Sequence, residues 1–531
     1  MRELAGTGAL VRLALRRDRI LLPAWLLALV ALAVTSAVAT TDLYPTAESV
    51  AKAVSALNDT PAMVALYGRV HDPSSVGALA MLKALASGAV LVAALAVFLV
   101  VRHTRGEEEA GRAELLVAGP VGRSAQLTAA MVVVVGGSLL LGLASALALA
   151  ASGLPLSGCF AFGLAWAGVG VAFAAVAAVA AQAVASARGA AGLAFGTLAL
   201  TYALRGIGDA MGEQWLSWLS PIGWAQAVRP FAGDRWWAGL LPLTFAVAAV
   251  AAAYALAARR DLGAGLVPER AGPVSPGLGL RGPLSLAWRS HRGALAGWTA
   301  GFTAYGLLVG AVAGSAGDML SSEQARELFD KLGNAGSLSD SVLAAMLGVL
   351  GVLAAAHGVQ AVGRAHAEED AGRAALVLAG PVGRTRWLLG HIAVALVGSA
   401  LVLVAAGVAA GAVHALRLGD ADQFARVMGA ALARVPAAWV LVGVAAVGYG
   451  VFPRASGAAW AYLIAALLIG EVGPLLGLDG AVLGISPFTH VPALPGADAQ
   501  WLSLFALAGV AAALVAAGAA GLRRRDLTGH Q

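Results

Sequence analysis

Residues 107–123 read EEEAGRAELLVAGPVGR, and residues 368–384 read EEDAGRAALVLAGPVGR. Thirteen of the seventeen positions are identical, and each residue of the second copy lies 261 positions after its counterpart. A polar cassette kept twice in an apolar chain suggests duplication, and the flanks agree. RRDRILLPAW sets Arg16, Arg19 and Trp25 at the spacing of Arg289, Arg292 and Trp298 in RSHRGALAGW. RRDL occurs at 259–262 and again at 524–527, and Ser-Pro at 220–221 and 486–487. Start, middle and end recur in one order, the mark of a tandem repeat.

The 531 residues are 60% hydrophobic and 12% charged, with mean hydropathy +0.81. A soluble domain carries about 25% charged residues, so lipid is the solvent expected for most of this chain. Twelve apolar runs are candidates to span a membrane: 20–39, 77–101, 125–151, 159–185, 190–204 and 238–257, then 293–315, 342–362, 387–413, 431–451, 456–471 and 501–520. The fifth of each half is short against the roughly 20 residues a span needs. Runs of this length must be helical, because hydrocarbon offers an unpaired backbone no partner. With the N-terminus inside, 24 of the 35 basic residues fall in inner segments, as the positive-inside rule requires. Both cassettes then lie on the inner side, between the second and third spans of their halves.

The expected fold is therefore an all-α polytopic membrane protein of two tandem six-helix repeats, 1–261 and 284–531, joined by a cytoplasmic Pro/Gly-rich linker, 262–283. An even number of spans gives both repeats one orientation, which implies a pseudo-two-fold axis along the membrane normal. Before the first span of each half, LVRLALRRDR and LSLAWRSHR read either as basic amphipathic helices on the inner leaflet or as plain flanking charge. The first apolar run is long enough to be an anchor rather than a signal peptide.

Several chemistries are excluded or unsupported. Lys52, Lys83 and Lys331 are the only lysines, and Ala53, Ala84 and Leu332 follow them, so no P-loop exists. Cys159 is the only cysteine, which rules out an intrachain disulfide or a cysteine-rich metal site. No catalytic residue and no metal site is expected. The net charge of +6 is accounted for by topology rather than by nucleic acid. His103 and His366 flank the cassettes and read as solvated juxtamembrane residues. The spans hold almost no acidic residue, which argues against a proton relay.

Glu107, Glu108 and Glu109 open the first cassette and Gly119–Pro120 closes it. Acidic residues favour a helix start and Gly-Pro stops a helix, so a short cytoplasmic helix with an acidic entrance is expected below the membrane. Glu368, Glu369 and Asp370 open the second, with Arg112/Arg373 and Arg123/Arg384 kept in both. A single copy reads as no more than a capped juxtamembrane turn, but two at equivalent places favour a doubled docking device and imply a partner with two equivalent grooves.

This cassette, placed after the second span, resembles the coupling region of ABC transporter type-2 permeases. The doubled form, with AGPVGR in each half, is similar to actinobacterial polyketide-antibiotic exporter permeases of the tetronasin type. The resemblance implies a permease without ATPase activity. Two copies of a separate cytoplasmic ABC ATPase, which bind the ATP and Mg, would dock beneath it. It carries over to Glu107, Glu108, Gly111, Glu114, Pro120 and Arg123, and to Glu368, Glu369, Gly372, Pro381 and Arg384. Ala375 stands where the first copy has Glu114, so the second dock is expected to be weaker.

The segment 212–237 holds five of the 13 tryptophans. Trp215, Trp218, Trp224 and Trp236, with Pro221, read as an interfacial anchor or, by the resemblance, as an outer lid over the exit. Pro487 marks the matching segment of the second half. The sequence-based expectation is thus the permease of an ATP-driven exporter of lipophilic or amphiphilic compounds (antibiotics, drugs or lipids). It would sit in a bacterial plasma membrane with both termini cytoplasmic. A proton-driven twelve-span transporter is the alternative, and a non-transporting partner of a sensor or lipid-handling complex a third.

Overall fold

The computed structural model describes residues 2–117, 119–212, 214–261, 263–267, 282–318, 338–452, 457–472 and 479–525. These residues form helices and turns, with no strand among them. Among the described residues, eleven helices are long and apolar enough to cross a membrane, against the twelve expected. The eleventh run forms a helix over Ala458–Val472, 15 residues, next to residues outside the described set. The fifth outgrows its apolar run, since Ala187–Met211 winds for 25 residues before Gly212 ends it at φ 77°. The chain divides into two compact units, Met1–Gly272 and Pro273–Gln531. Most of the expected linker lies outside the described residues.

The first unit runs α1 (Thr7–Arg17), α2 (Leu21–Leu43), α3 (Ala47–Asn58), α4 (Pro61–Tyr67), α5 (Val76–Lys83), α6 (Ala89–His103), α7 (Arg105–Glu109), α8 (Arg112–Val117), α9 (Ala125–Ala151), α10 (Leu156–Ala183), α11 (Ala187–Met211), α12 (Gln214–Ser217), α13 (Pro221–Ala227) and α14 (Leu240–Ala257). Its axis is α10, which packs on α6, α9, α11 and α14 and buries Phe162, Trp166 and Phe173 completely. Between α5 and α6 the ladder loosens into one π turn, Ala84–Gly88. The Trp166 indole N–H donates to the Ala84 carbonyl at 3.1 Å. A donor placed there serves a backbone group that hydrocarbon would leave bare. Helices α9 and α10 touch backbone to backbone at Gly142 and Gly163, where a Cβ on either would strike the other's carbonyl.

The second unit runs α15 (Pro283–Asp318), α16 (Leu338–Asp370), α17 (Arg373–Leu378), α18 (Arg384–Leu418), α19 (Asp422–Leu432), α20 (Val435–Val451), α21 (Ala458–Val472), α22 (Gly480–Leu483) and α23 (Trp501–Arg524). Helix α18 lies along α15, α20 along α23, and α16 contacts α18 and α20. The two basic flanks differ. In the first unit α1 is a separate amphipathic helix that stops at Asp18. In the second, LSLAWRSHR is the opening of the 36-residue α15 and continues into the span.

Candidate functional site

Neither cassette is one helix with an acidic start. Glu107, Glu108 and Glu109 end α7, and Gly111 breaks the chain at φ 70° before α8 begins. In the second copy α16 runs on through Glu368, Glu369 and Asp370, and Gly372 breaks it at φ 71° before α17. Only glycine takes this left-handed turn at low cost, which explains its retention in both copies. The carboxylates therefore sit at a helix C-terminus, where the dipole disfavours them, and they need cations nearby.

Those cations come from the repeated RRDL. Glu108 accepts two hydrogen bonds from Arg260, at 2.7 and 2.9 Å, and Glu369 accepts two from Arg525, at 2.6 and 2.9 Å. Glu108 and Arg260 take the second positions of their motifs, as do Glu369 and Arg525. The cassette's closing arginine completes the clamp from the other side. Arg123 donates to the Arg260 carbonyl at 2.6 Å, and Arg384 donates to the Arg525 carbonyl at 2.8 Å. Each unit thus fastens its connector between the second and third spans to the chain leaving its sixth. In each unit the two repeated motifs touch.

The two clamps are filled differently. In the first, the buried Arg105 donates to Glu108 at 2.8 Å and to the Ala264 carbonyl at 2.8 Å, and it also bonds the Ala181 carbonyl. Gln182 accepts from Arg260 at 2.6 Å. In the second, the Tyr449 hydroxyl donates to Glu369 at 2.5 Å, and the Arg525 guanidinium lies 4.9 Å from the Tyr449 ring centroid. Burial draws down the pKa of Arg525, but the Glu369 hydrogen bonds outweigh it and leave a net rise. Arg260 and Arg105 both donate to Glu108, while Arg525 and the Tyr449 phenol both donate to Glu369.

The first carboxylate of each cassette is also held within its unit. Glu107 pairs with Arg17 of α1, and Arg112 reaches back to it at 2.8 and 3.1 Å. These bonds raise the pKa of Arg112 further above its ordinary value. Glu368 lies 3.4 Å from His391 and 4.0 Å from Arg364. Next to them, His103 corrects the expectation of a solvated residue, for it is buried and bonds Asp18 at 2.5 Å. The counterpart of Asp18 is His291, which meets His391 at 3.0 Å. The third acid faces outward, with Glu109 taking the Ala187 N–H at the start of α11 (3.0 Å) and Asp370 lying 3.4 Å from His366. Inward pairing of Glu107, Glu108 and Glu369 corrects the picture of a freely exposed acidic entrance. What remains open to water is a ridge: Gly111, Arg112, Glu114 and Pro120 in one unit, and Gly372, Arg373, Ala375 and Pro381 in the other. Sequence reading missed Arg17, Asp18, Arg105, Gln182, His391 and Tyr449. It saw Arg260 and Arg525 only as repeated letters.

At the far end of the first unit, Trp215, Trp218, Trp236 and Trp237 are exposed, and Trp218 stacks on Trp237 with centroids 6.0 Å apart. The Trp224 indole donates to the Trp218 carbonyl at 2.7 Å. Ser220 caps α13 before the buried Pro221, and in the second unit Ser486 bonds the Ala466 carbonyl at 2.8 Å before the buried Pro487.

The family model described as "Multidrug efflux system permease Rv1217c, C-terminal domain" matches residues 8–260 and 280–523. The chain is 42% identical over 525 residues to the "Multidrug efflux system permease protein Rv1217c" of Mycobacterium tuberculosis (strain ATCC 25618 / H37Rv). That match covers 98% of this chain and 95% of the relative. With repeated cassettes, membrane-spanning helices and a match along nearly its whole length, the chain belongs to the multidrug efflux system permease family.

Proposed function

We propose that this chain is the membrane subunit of an ATP-driven exporter of the ABC type-2 kind. It would carry lipophilic or amphiphilic compounds across a bacterial plasma membrane, with both termini on the cytoplasmic side. Two copies of a separate ABC ATPase, holding ATP and Mg, would dock on the two cassettes, and this chain would need no cofactor of its own. The observation that carries the reading is the doubled clamp. A glycine-broken turn is held rigidly from below by buried ion pairs, and a short ridge is left open above it, in both units alike. Rigidity behind an exposed ridge suits the transfer of a mechanical stroke, since a push on the ridge reaches the second, third and sixth spans at once. The efflux-system name of the relative agrees with export. The test is reconstitution in proteoliposomes with the cognate ATPase. ATP-dependent efflux of a lipophilic dye, with ATPase stimulation by the dye, is expected. Efflux independent of any ATPase would overturn the reading.

A proton-driven exporter draws support from one set of contacts, the buried Asp18–His103 and Glu368–His391 pairs. It requires dye efflux driven by an imposed pH gradient without ATP, and Asp18→Asn would abolish that efflux.

A further inference from the structure

The far end of the first unit holds a cavity of about 490 Å³ whose three arginines form no ion pair among the described residues. Its walls include Arg69, Arg229 and Arg235, with His71 among them, and Met81, Leu82 and Leu85 deeper in. No carboxylate lies within ion-pair distance of any of the three arginines among the described residues. The nearby acids are committed elsewhere. Asp209, which also lines the cavity, accepts from Ser217 at 2.6 Å and from Arg205 at 3.3 Å. Asp72 takes the Ser74 hydroxyl at 2.6 Å, and Asp234 takes the Phe231 N–H at 2.8 Å.

The backbone that carries these arginines is fixed. Arg69 follows a turn pinned at the Tyr67 carbonyl by Gln226 (2.8 Å), at the Leu66 carbonyl by Tyr202 and Arg205 (2.7 and 2.9 Å), and at Val70 by both amide ends of Asn58. Arg229, Phe231 and Asp234 all have positive φ, at 51°, 62° and 29°. Phe231 anchors that strained loop against Gly77 and Gly158. Three non-glycine residues in this region within six positions cost backbone energy, and the surrounding contacts sustain it. Burial and the neighbouring Arg235 lower the pKa of Arg229. Partial burial, with Arg229, Arg235 and Arg69 close by, holds His71 down to about 4, so it adds no charge at neutral pH. Like charges gathered at such cost would be relieved by an anion.

We propose that this cavity binds the anionic head group of an amphiphile. The guanidinium groups of Arg69, Arg229 and Arg235 take the phosphate or carboxylate, and the Met81–Leu82–Leu85 wall takes the first methylenes of the chain. Arginine suits the role because its planar fork bonds two oxygens of such a group at once. The site goes beyond the export reading, because binding needs neither ATP nor transport.

The experiment is calorimetric titration of the full chain in phosphatidylcholine nanodiscs, corrected for empty discs, with octyl phosphate, octyl glucoside and inorganic phosphate. Saturable binding of octyl phosphate, far tighter than that of the other two, is expected. Equal binding of octyl glucoside would overturn the anionic head, and equal binding of inorganic phosphate would overturn the amphiphile. Each guanidinium removed should weaken octyl phosphate by about tenfold. Arg69→Gln with Arg229→Gln should therefore weaken it by about a hundredfold, while the matching lysine pair keeps most of the affinity. Unchanged affinity in the glutamine pair would overturn the proposal. If that pair does not fold, Arg235→Gln at the exposed rim is read instead: a tenfold loss supports the site and no loss refutes it. Discs containing phosphatidylglycerol separate the sources. Lost octyl phosphate affinity assigns the site to a membrane lipid, and retained affinity assigns it to a soluble amphiphile.

Discussion

Removing either clamp arginine should destabilise its unit by stranding a buried carboxylate. Breaking a buried ion pair by deleting one partner costs about 3–5 kcal/mol, because the other charge is stranded. In Arg260→Ala, Glu108 keeps Arg105 at 2.8 Å and the Gly263 N–H at 3.2 Å, so the loss falls near the lower figure, about 3 kcal/mol. In Arg525→Ala, Glu369 loses both guanidinium bonds while the Tyr449 hydroxyl still donates to it at 2.5 Å, and the loss falls within the same range of about 3–5 kcal/mol. The assay is unfolding of each variant in mixed micelles, followed by tryptophan fluorescence. A second substitution isolates the cause: Glu369→Gln on top of Arg525→Ala removes the stranded charge and should recover about half of the loss. Unchanged stability in the two alanine variants, or no recovery by Glu369→Gln, would refute this account of the clamps.

Other outcomes follow from the same geometry. Gly111→Ala and Gly372→Ala each force a Cβ into a left-handed turn and should cost about 1 kcal/mol, with Gly→Asn milder; thermal unfolding measures both. Pro120→Ala should leave an ATPase bound while lowering dye efflux per ATP hydrolysed, and Glu109→Ala and Glu114→Ala should weaken ATPase stimulation in a graded, salt-sensitive way; co-purification and coupled assays read these. Gly142→Leu should separate α9 from α10 and cost about 1–3 kcal/mol, visible as lower yield and earlier melting. In a Cys159→Ala background, a cysteine at Asp59 should react with an impermeant thiol reagent from outside, and one at Ala110 only after the membrane is opened.

Hydropathy showed where the helices are, because lipid demands long apolar runs and tolerates little else. It cut short Ala187–Met211, where Arg188, Gly189, Arg205 and Gly206 dilute the signal without setting the helix ends. At the cassette, the acidic run looked like a helix start because sequence gives charge without direction. Which face Glu108 turns depends on Arg260, 152 residues away, and no local pattern encodes that pairing. One signal was present: the cassette and RRDL recur at offsets of 261 and 265, and motifs duplicated together are candidates for contact. The arginine-lined cavity was illegible for the same reason. Arg69 and Arg229 are far apart in the chain, and the tryptophans between them drew attention to the interface instead.

The position of Arg260 has a consequence for how the chain bears load. It stands at the exit of the sixth span, ahead of the stretch leading toward Pro273, and is held by Glu108, Gln182 and Arg123. A cable gripped where it leaves its housing passes no tug to the wires inside. Tension arriving along that stretch would meet the grip before it met α14. Lengthening or shortening the sequence beyond Val267 should therefore leave the first unit undisturbed, whereas moving Arg260 by one residue would put the whole bundle on the line.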